Sequence, residues 1–284
     1  MSDPLALPGR PEEPDLVLLD DAEAVAAEGA RRVAEALRAA VERRGRADIA
    51  LTGGATVGAL YRCLATPPIR EAVPWPAVHL WWGDDRFVGS EHPESSVFLA
   101  RTTLFAGGSG DAGDPTGLGL PTGNVHPFPI DAALAEGHDA AWVADAYAAE
   151  LRGALPTGPG GRPAFDVALL SIGADGHVLS VFPGSAAFAR DAPLVLAVPA
   201  PAHIGPHLPR LTLRPDVLDD AAALLVLAVS PAKSAAIAAA LGPERDPVRW
   251  PAQVARRRGA TWLVDRACLA AVSSPEGRSS PTRP

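Results

Sequence analysis

Asp175, Gly176 and His177 stand side by side just past an apolar run from Asp166 to Ile172. A carboxylate and an imidazole so placed suit acid–base chemistry. Histidine ordinarily titrates near pH 6.5, so an imidazole accepts a proton from water close to neutrality. A carboxylate beside it orients or polarises the ring. Glycines at 173 and 176 let the backbone bend sharply and approach a ligand closely. Ser180, Phe182, Pro183 and Gly184 then mark a second turn. The plainer alternative is an ordinary loop, with Asp175 capping a helix and His177 exposed.

The elements that position these groups are strands. A near-continuous apolar run reads as a strand covered on both faces of a parallel sheet. In open α/β sheets, ligands sit beyond the carboxyl ends of such strands. Two other strand ends carry polar groups. Asp48 to Leu51 runs into Thr52-Gly53-Gly54 and then a helix, where exposed backbone N–H groups suit a phosphate. The stretch is neither a Walker A loop nor a G-x-G-x-x-G fingerprint, and a plain tight turn is the competing reading. Val78 to Trp82 runs into Gly83-Asp84-Asp85-Arg86. Arg86 offers a planar fork for a phosphate or carboxylate; the paired acids lack further ligands at metal spacing. Lys233 falls in the first turn of a helix opened by Pro231, unfavourable for a cation unless an anion is near.

Composition narrows the class. The chain has 284 residues, 48% of them hydrophobic, which fits one α/β domain of roughly 250 residues. A net charge of −8, with no basic stripe, argues against a nucleic-acid partner. The tight basic run Arg256-Arg257-Arg258 reads as a solvated helix end. Cys63 and Cys268 are far apart and read as small core residues, so a reducing cytoplasmic setting is the default. The N-terminus lacks the features of a signal peptide, and no apolar run reaches membrane-spanning length. His79 reads as half-buried within a strand, and His92, His138 and His203 as loop residues. None pairs with acids at ligand spacing, so neither a metal nor a cofactor is expected.

In order, residues 1–14 read as a loose tail, 15–272 as the α/β domain and 273–284 as a second tail. Asp20 or Asp21 caps a helix whose core-facing stripe is Val25, Gly29, Val33, Leu37 and Val41. Glu94 to Leu104 reads as a helix and 107–123 as a flexible surface loop. Asp131 to Leu155 reads as one Ala-rich helix with Trp142, Ala146 and Tyr147 on one side. Leu194–Val198, Ala222–Val229 and Thr261–Val264 read as strands. Strands alternating with helical patterns give an α/β fold with a mostly parallel sheet flanked by helices.

The stretch FDVALLSIGADGHVLSVFPG resembles the 6-phosphogluconolactonase family signature, approximately G-x-G-x-D-G-H-T-A-S-L-F-P-G. Departures fall at Ser171, Val178, Leu179 and Val181. LTGGAT resembles the family's S-G-G-S/T-x-P loop. Asp84, Arg86 and Val88 match D-E-R-x-V, with Asp85 in place of Glu. Ser95-Ser96 stands where the family has Ser-Asn. The segment from Pro206 to Leu213 is similar to P-x-x-R-I-T-L, making Arg210 a second anion ligand. Ser230 to Lys233 stands where the family has G-x-x-K.

The resemblance spans roughly 15–272. It implies hydrolysis of 6-phospho-D-glucono-1,5-lactone to 6-phosphogluconate in the pentose phosphate pathway. The implied catalytic residues are His177 and Asp175. Gly53, Gly54, Asp84, Arg86, Arg210 and Lys233 would bind the phosphorylated sugar lactone. Oligomeric state is not set by the sequence, with a monomer slightly favoured. Two alternatives stay open. One is a glucosamine-6-phosphate deaminase-like isomerase, whose D-E-Y and N-E-P-G patterns this chain lacks at 84–86 and 181–184. The other is a non-catalytic sugar-phosphate-binding protein, for which the substitutions at Ser96, Val178 and Ser230 leave room.

Overall fold

The computed structural model describes residues 13–106 and 116–270. The terminal tails, Glu13 and Pro14 apart, the last two residues of the 15–272 stretch and residues 107–115 of the 107–123 loop lie outside the described residues.

Buried apolar runs pair into a seven-stranded sheet in which every neighbouring pair is parallel. Its strands are β1 (Asp15–Leu19), β2 (Ala47–Leu51), β3 (Val78–Trp82), β5 (Val125–His126), β6 (Val167–Ser171), β9 (Ala223–Ala228) and β10 (Ala260–Asp265), in spatial order β1-β10-β9-β6-β2-β3-β5. The strand that leads into Asp175 and His177 is thus the central one. Burial on both faces explains why it shows no alternation. The helices are α1 (Ala22–Arg44), α2 (Ala55–Leu64), α3 (Ile69–Ala72), α4 (Ser96–Thr103), α5 (Ile130–Glu136), α6 (Ala140–Ala154), α7 (Ser234–Leu241) and α8 (Arg266–Ala270). Asp21 caps α1 by accepting from Ala24 N–H at 2.9 Å. The expected α1 stripe is buried, with Val41 at its edge. Gly29 belongs to it because a Cβ there would lie 2.7 Å from Leu60 of α2, so only glycine lets the two helices approach.

Three expectations are corrected. The segment 131–155 is two helices, because Gly137 takes a left-handed φ of 76° and ends α5, after which Asp139 caps α6. On α6 the buried face is Val143, Ala144, Tyr147, Ala148 and Leu151. Trp142 is 37% exposed and stacks on His138 instead. The Arg256–Arg258 run does follow a helix end, the 3-10 turn Pro251–Ala255, and Arg258 is exposed, but Arg256 and Arg257 are not simply solvated. Arg257 donates to the Ala221 carbonyl at 2.6 Å and Arg256 to that of Gly242, pinning the loop before β10. Beside the parallel sheet, β4 (Asp84–Arg86), β8 (Arg210–Leu213) and β7 (Val195–Val198) form a separate antiparallel sheet. With three polar residues, β4 carries no strand pattern; its partner 126 residues later holds it extended.

At the amino ends of the parallel strands, Arg44 binds both Asp48 and Asp166, Arg46 binds Asp48, and Trp81 donates to Asp48 at 2.9 Å. Burial pushes the Asp48 carboxyl up, but its hydrogen bonds from Arg46, Arg44 and Trp81 outweigh this and hold it below the usual range. Removing one partner of a buried pair strands the others. Asp48→Ala should therefore cost about 3–5 kcal/mol in a denaturant titration. A loss below about 1 kcal/mol, typical of exposed pairs, would contradict this reading.

Candidate active site

At the opposite, carboxyl edge of the sheet, a cavity of about 100 Å³ is framed by four segments. The β2 end supplies Thr52, Gly53 and Gly54; β4 supplies Asp84 and Arg86; the β6 end supplies Ser171 to Gly173 and His177; β8 supplies Arg210.

The turn after β6 closes through Gly176 N–H to the Gly173 carbonyl at 3.0 Å and Gly173 N–H to the His177 carbonyl at 2.8 Å. Both glycines are required. A Cβ on Gly173 would lie 2.1 Å from His177 Nδ1, and Gly176 adopts φ 85° with Trp250 2.9 Å from where a Cβ would stand. The turn brings Nδ1 of His177 to 2.5 Å from Oδ1 of Asp175, which also accepts the His177 backbone N–H at 3.2 Å. A carboxylate must be given a hydrogen, so Nδ1 carries it, and Nε2 is the ring nitrogen left to accept a proton. Burial pushes the Asp175 carboxyl up. Hydrogen bonds from His177 and His203, with the His177 charge, outweigh that and hold it well below the usual carboxylate range.

His203 does lie in a loop, and its Nε2 stands 2.8 Å from Oδ2 of Asp175. No local pattern signals a contact across 28 residues. Phe182 packs against both rings, 4.9 Å from the His177 centroid and edge-on to His203 at 5.6 Å.

Asp84 is 5% exposed, and both its oxygens are engaged. Thr52 Oγ1 donates to one and Ser180 Oγ to the other, each at 2.8 Å. The Ser180 N–H reaches Thr212 Oγ1 of β8 at 3.2 Å. Tyr61 of α2 braces the same place, donating to the Thr52 carbonyl at 2.9 Å. Asp85 instead serves the start of α4, accepting from Ser96 N–H at 2.6 Å, Arg86 N–H at 2.7 Å and the Ser95 hydroxyl at 3.2 Å. Burial pushes its carboxyl up to about 6.

Arg86 and Arg210 face each other directly across the β4–β8 ladder. Like charges in that position repel. Neither forms an ion pair among the described residues. Arg86 donates to the Glu94 carbonyl at 2.7 Å and Arg210 to that of Pro206 at 3.0 Å. Both Nε atoms are buried and unpartnered, as is the Ser96 hydroxyl beside Gly53. Burial, reinforced by the charge of Arg86, lowers the Arg210 pKa. A half-buried and a buried guanidinium group, Arg86 and Arg210, with spare donors are the electrostatic complement of an anion. Lys233 stands behind Ser171, its Nζ 3.4 Å from the hydroxyl, and burial lowers its pKa. Ser230, two residues before Pro231's neighbour Ala232, holds φ 87°. That is the left-handed backbone a glycine would adopt freely.

Residues 20–263 match the model of the family described as glucosamine-6-phosphate isomerases/6-phosphogluconolactonase. The chain belongs to that family. Among curated relatives, the 6-phosphogluconolactonase of Mycobacterium tuberculosis is 34% identical over 260 residues, covering 90% of this chain and 98% of that protein. The 6-phosphogluconolactonase of Synechocystis is 33% identical over 228 residues, covering 80% and 85%. The solved 6-phosphogluconolactonase of Trypanosoma cruzi superposes with a TM-score of 0.76 at 23% identity, covering 92% of this chain and 98% of that one. At that identity the structural likeness speaks to the fold. The mostly parallel, helix-flanked sheet expected from the sequence is the fold of this glucosamine-6-phosphate isomerase/6-phosphogluconolactonase family member.

The facing arginines generate a test that needs no turnover. Inorganic phosphate at millimolar concentration should raise the melting temperature of the wild-type protein, since a ligand that binds the native state stabilises it. Arg210→Met should abolish most of that rise. An equal rise in the variant would place the anion elsewhere.

Proposed function

We propose that this protein hydrolyses 6-phospho-D-glucono-1,5-lactone to 6-phosphogluconate, with His177 as general base. The observation that carries the reading is the geometry of His177. Its Nδ1 is fixed by Asp175 at 2.5 Å while the ring borders a cavity also lined by Arg86 and Arg210. In this reading the substrate phosphate is held by those arginines, with Gly53 and Gly54 offering backbone N–H groups and Lys233 adding positive charge behind Ser171. Asp84 contributes by holding Thr52 and Ser180 in place.

His177 Nε2 takes a proton from water, and the hydroxide formed bonds to the lactone carbonyl carbon. The resulting tetrahedral oxyanion collapses by breaking the bond from that carbon to the ring oxygen. The imidazolium returns its proton to the departing alkoxide, and the acid product ionises. Atoms balance as lactone plus water giving the open-chain acid. Asp175, held ionised, keeps the ring in the required tautomer and offsets the positive charge that it transiently carries. The guanidinium of Arg86, where the deaminase-like pattern has tyrosine, favours lactone hydrolysis over the isomerase reading, and the names of the curated relatives support the same choice. The reading describes a cytoplasmic enzyme of the pentose phosphate pathway acting on a small sugar phosphate. No described helix is long and apolar enough to cross a membrane.

His177→Ala should lower kcat by a factor on the order of 10²–10⁴, with 6-phosphogluconate binding little changed. Asparagine or glutamine at 177 should not restore turnover, since neither accepts a proton near neutrality. The kcat/KM profile should fall on the acid side, where an imidazole base carries a proton. Asp175 stays ionised across that limb because its carboxyl is held well below the usual range, whereas Asp85, pushed up to about 6, titrates within it; the part of the limb that disappears in the alanine variant is the part that belongs to the imidazole. A folded His177→Ala protein with wild-type kcat would contradict the mechanism.

A further inference from the structure

The proposed reaction uses one edge of the Asp175 carboxylate. The other edge is occupied by a residue to which the reaction assigns no part. His203 lies on the loop between β7 and β8, with its side chain half exposed. Its Nε2 stands 2.8 Å from Oδ2 of Asp175, while Oδ1 faces Nδ1 of His177 at 2.5 Å. Since the carboxylate only accepts, each ring gives it a hydrogen. The Phe182 ring packs against both imidazoles, and the Arg210 guanidinium lies over the same ring, 5.4 Å from its centroid. The loop is braced at its far end as well, where Arg210 donates to the Pro206 carbonyl at 3.0 Å.

We propose that His203 is a positioning residue that acts through Asp175 on His177. The inference rests on the reading of His177 as the general base. A carboxylate bonded through Oδ1 alone, even by the two hydrogens that His177 gives it, can still rock about its Cβ–Cγ bond. Bonded through both, it presents Oδ1 to His177 in one orientation, and the ring's Nε2 is aimed in one direction. Small errors of aim are costly in a proton transfer, where misplacement by about 1 Å costs on the order of 10²-fold in rate. The bracing also joins two parts of the site. The loop that steadies the base is held by Arg210, which faces the anion position, so ordering one favours ordering the other.

The test is a cycle of four proteins assayed on freshly made lactone, with spontaneous hydrolysis subtracted: wild type, His203→Ala, His177→Ala and the double variant. His203→Ala should lower kcat on the order of tenfold while KM changes by less than about twofold, the pattern of lost transition-state alignment. In the His177→Ala background, the same substitution should cost nothing further, because its effect travels through the missing ring. His203→Gln should recover most of the loss, since its amide N–H also donates to a carboxylate. Wild-type kcat in His203→Ala, an equal loss in both backgrounds, or a change in KM alone would overturn the proposal. Wild-type kcat in His177→Ala alone would overturn the base assignment itself, and this inference with it.

Discussion

The site depends on one buried carboxylate accepting two hydroxyls. Asp84 sits where the parallel and antiparallel sheets meet, and through Thr52 and Ser180 it ties the β2 loop to the segment after the histidine turn. A buried carboxylate without donors would be costly, and a buried hydroxyl without an acceptor costs about 1–3 kcal/mol. The three groups therefore satisfy one another only in this arrangement. Because Ser180 lies three residues beyond His177 and also bonds Thr212 of β8, the same tie sets where the imidazole stands relative to Arg210. Arg86 is two residues from Asp84 on the same short strand. His177, Arg86 and Arg210 are thus placed by one junction.

The two edges of the parallel sheet treat charge in opposite ways. At the amino edge, Asp48 and Asp166 are saturated by Arg43, Arg44 and Arg46. At the carboxyl edge, Arg86 and Arg210 face each other with buried Nε atoms unpartnered. The first arrangement stabilises the fold. The second is a repulsion that the fold tolerates and that, in the proposed function, a bound anion would relieve. Strain and unpaired groups gather at functional positions for this reason.

The architecture was legible because β9 is apolar throughout, β6 and β10 are largely so, and α1 carries a clear stripe, signals that depend only on neighbours in sequence. The His177 turn was legible because Gly173 and Gly176 must be glycine for the ring and Trp250 to fit, and such needs leave a compositional mark. What escaped has a common cause. β4 is too short and polar to read as a strand, and becomes one only beside β8. The facing of Arg86 and Arg210 follows from that pairing. His203 meets Asp175 only because the β7–β8 loop folds back over the turn. Asp85, an oddity against the resembled pattern, is explained by the start of α4, two of whose donors, the Ser95 hydroxyl and the Ser96 N–H, it accepts. The break between α5 and α6 was marked by Gly137, which a reading for apolar content passes over.

The claim that one carboxylate assembles the site is tested most directly by kcat/KM on 6-phosphogluconolactone for Asp84→Ala, measured on protein shown by circular dichroism to be folded. The account predicts a fall on the order of 10²-fold or more, because both the base and the anion ligands lose their common anchor. A folded Asp84→Ala protein whose kcat/KM stays within about twofold of wild type would contradict it.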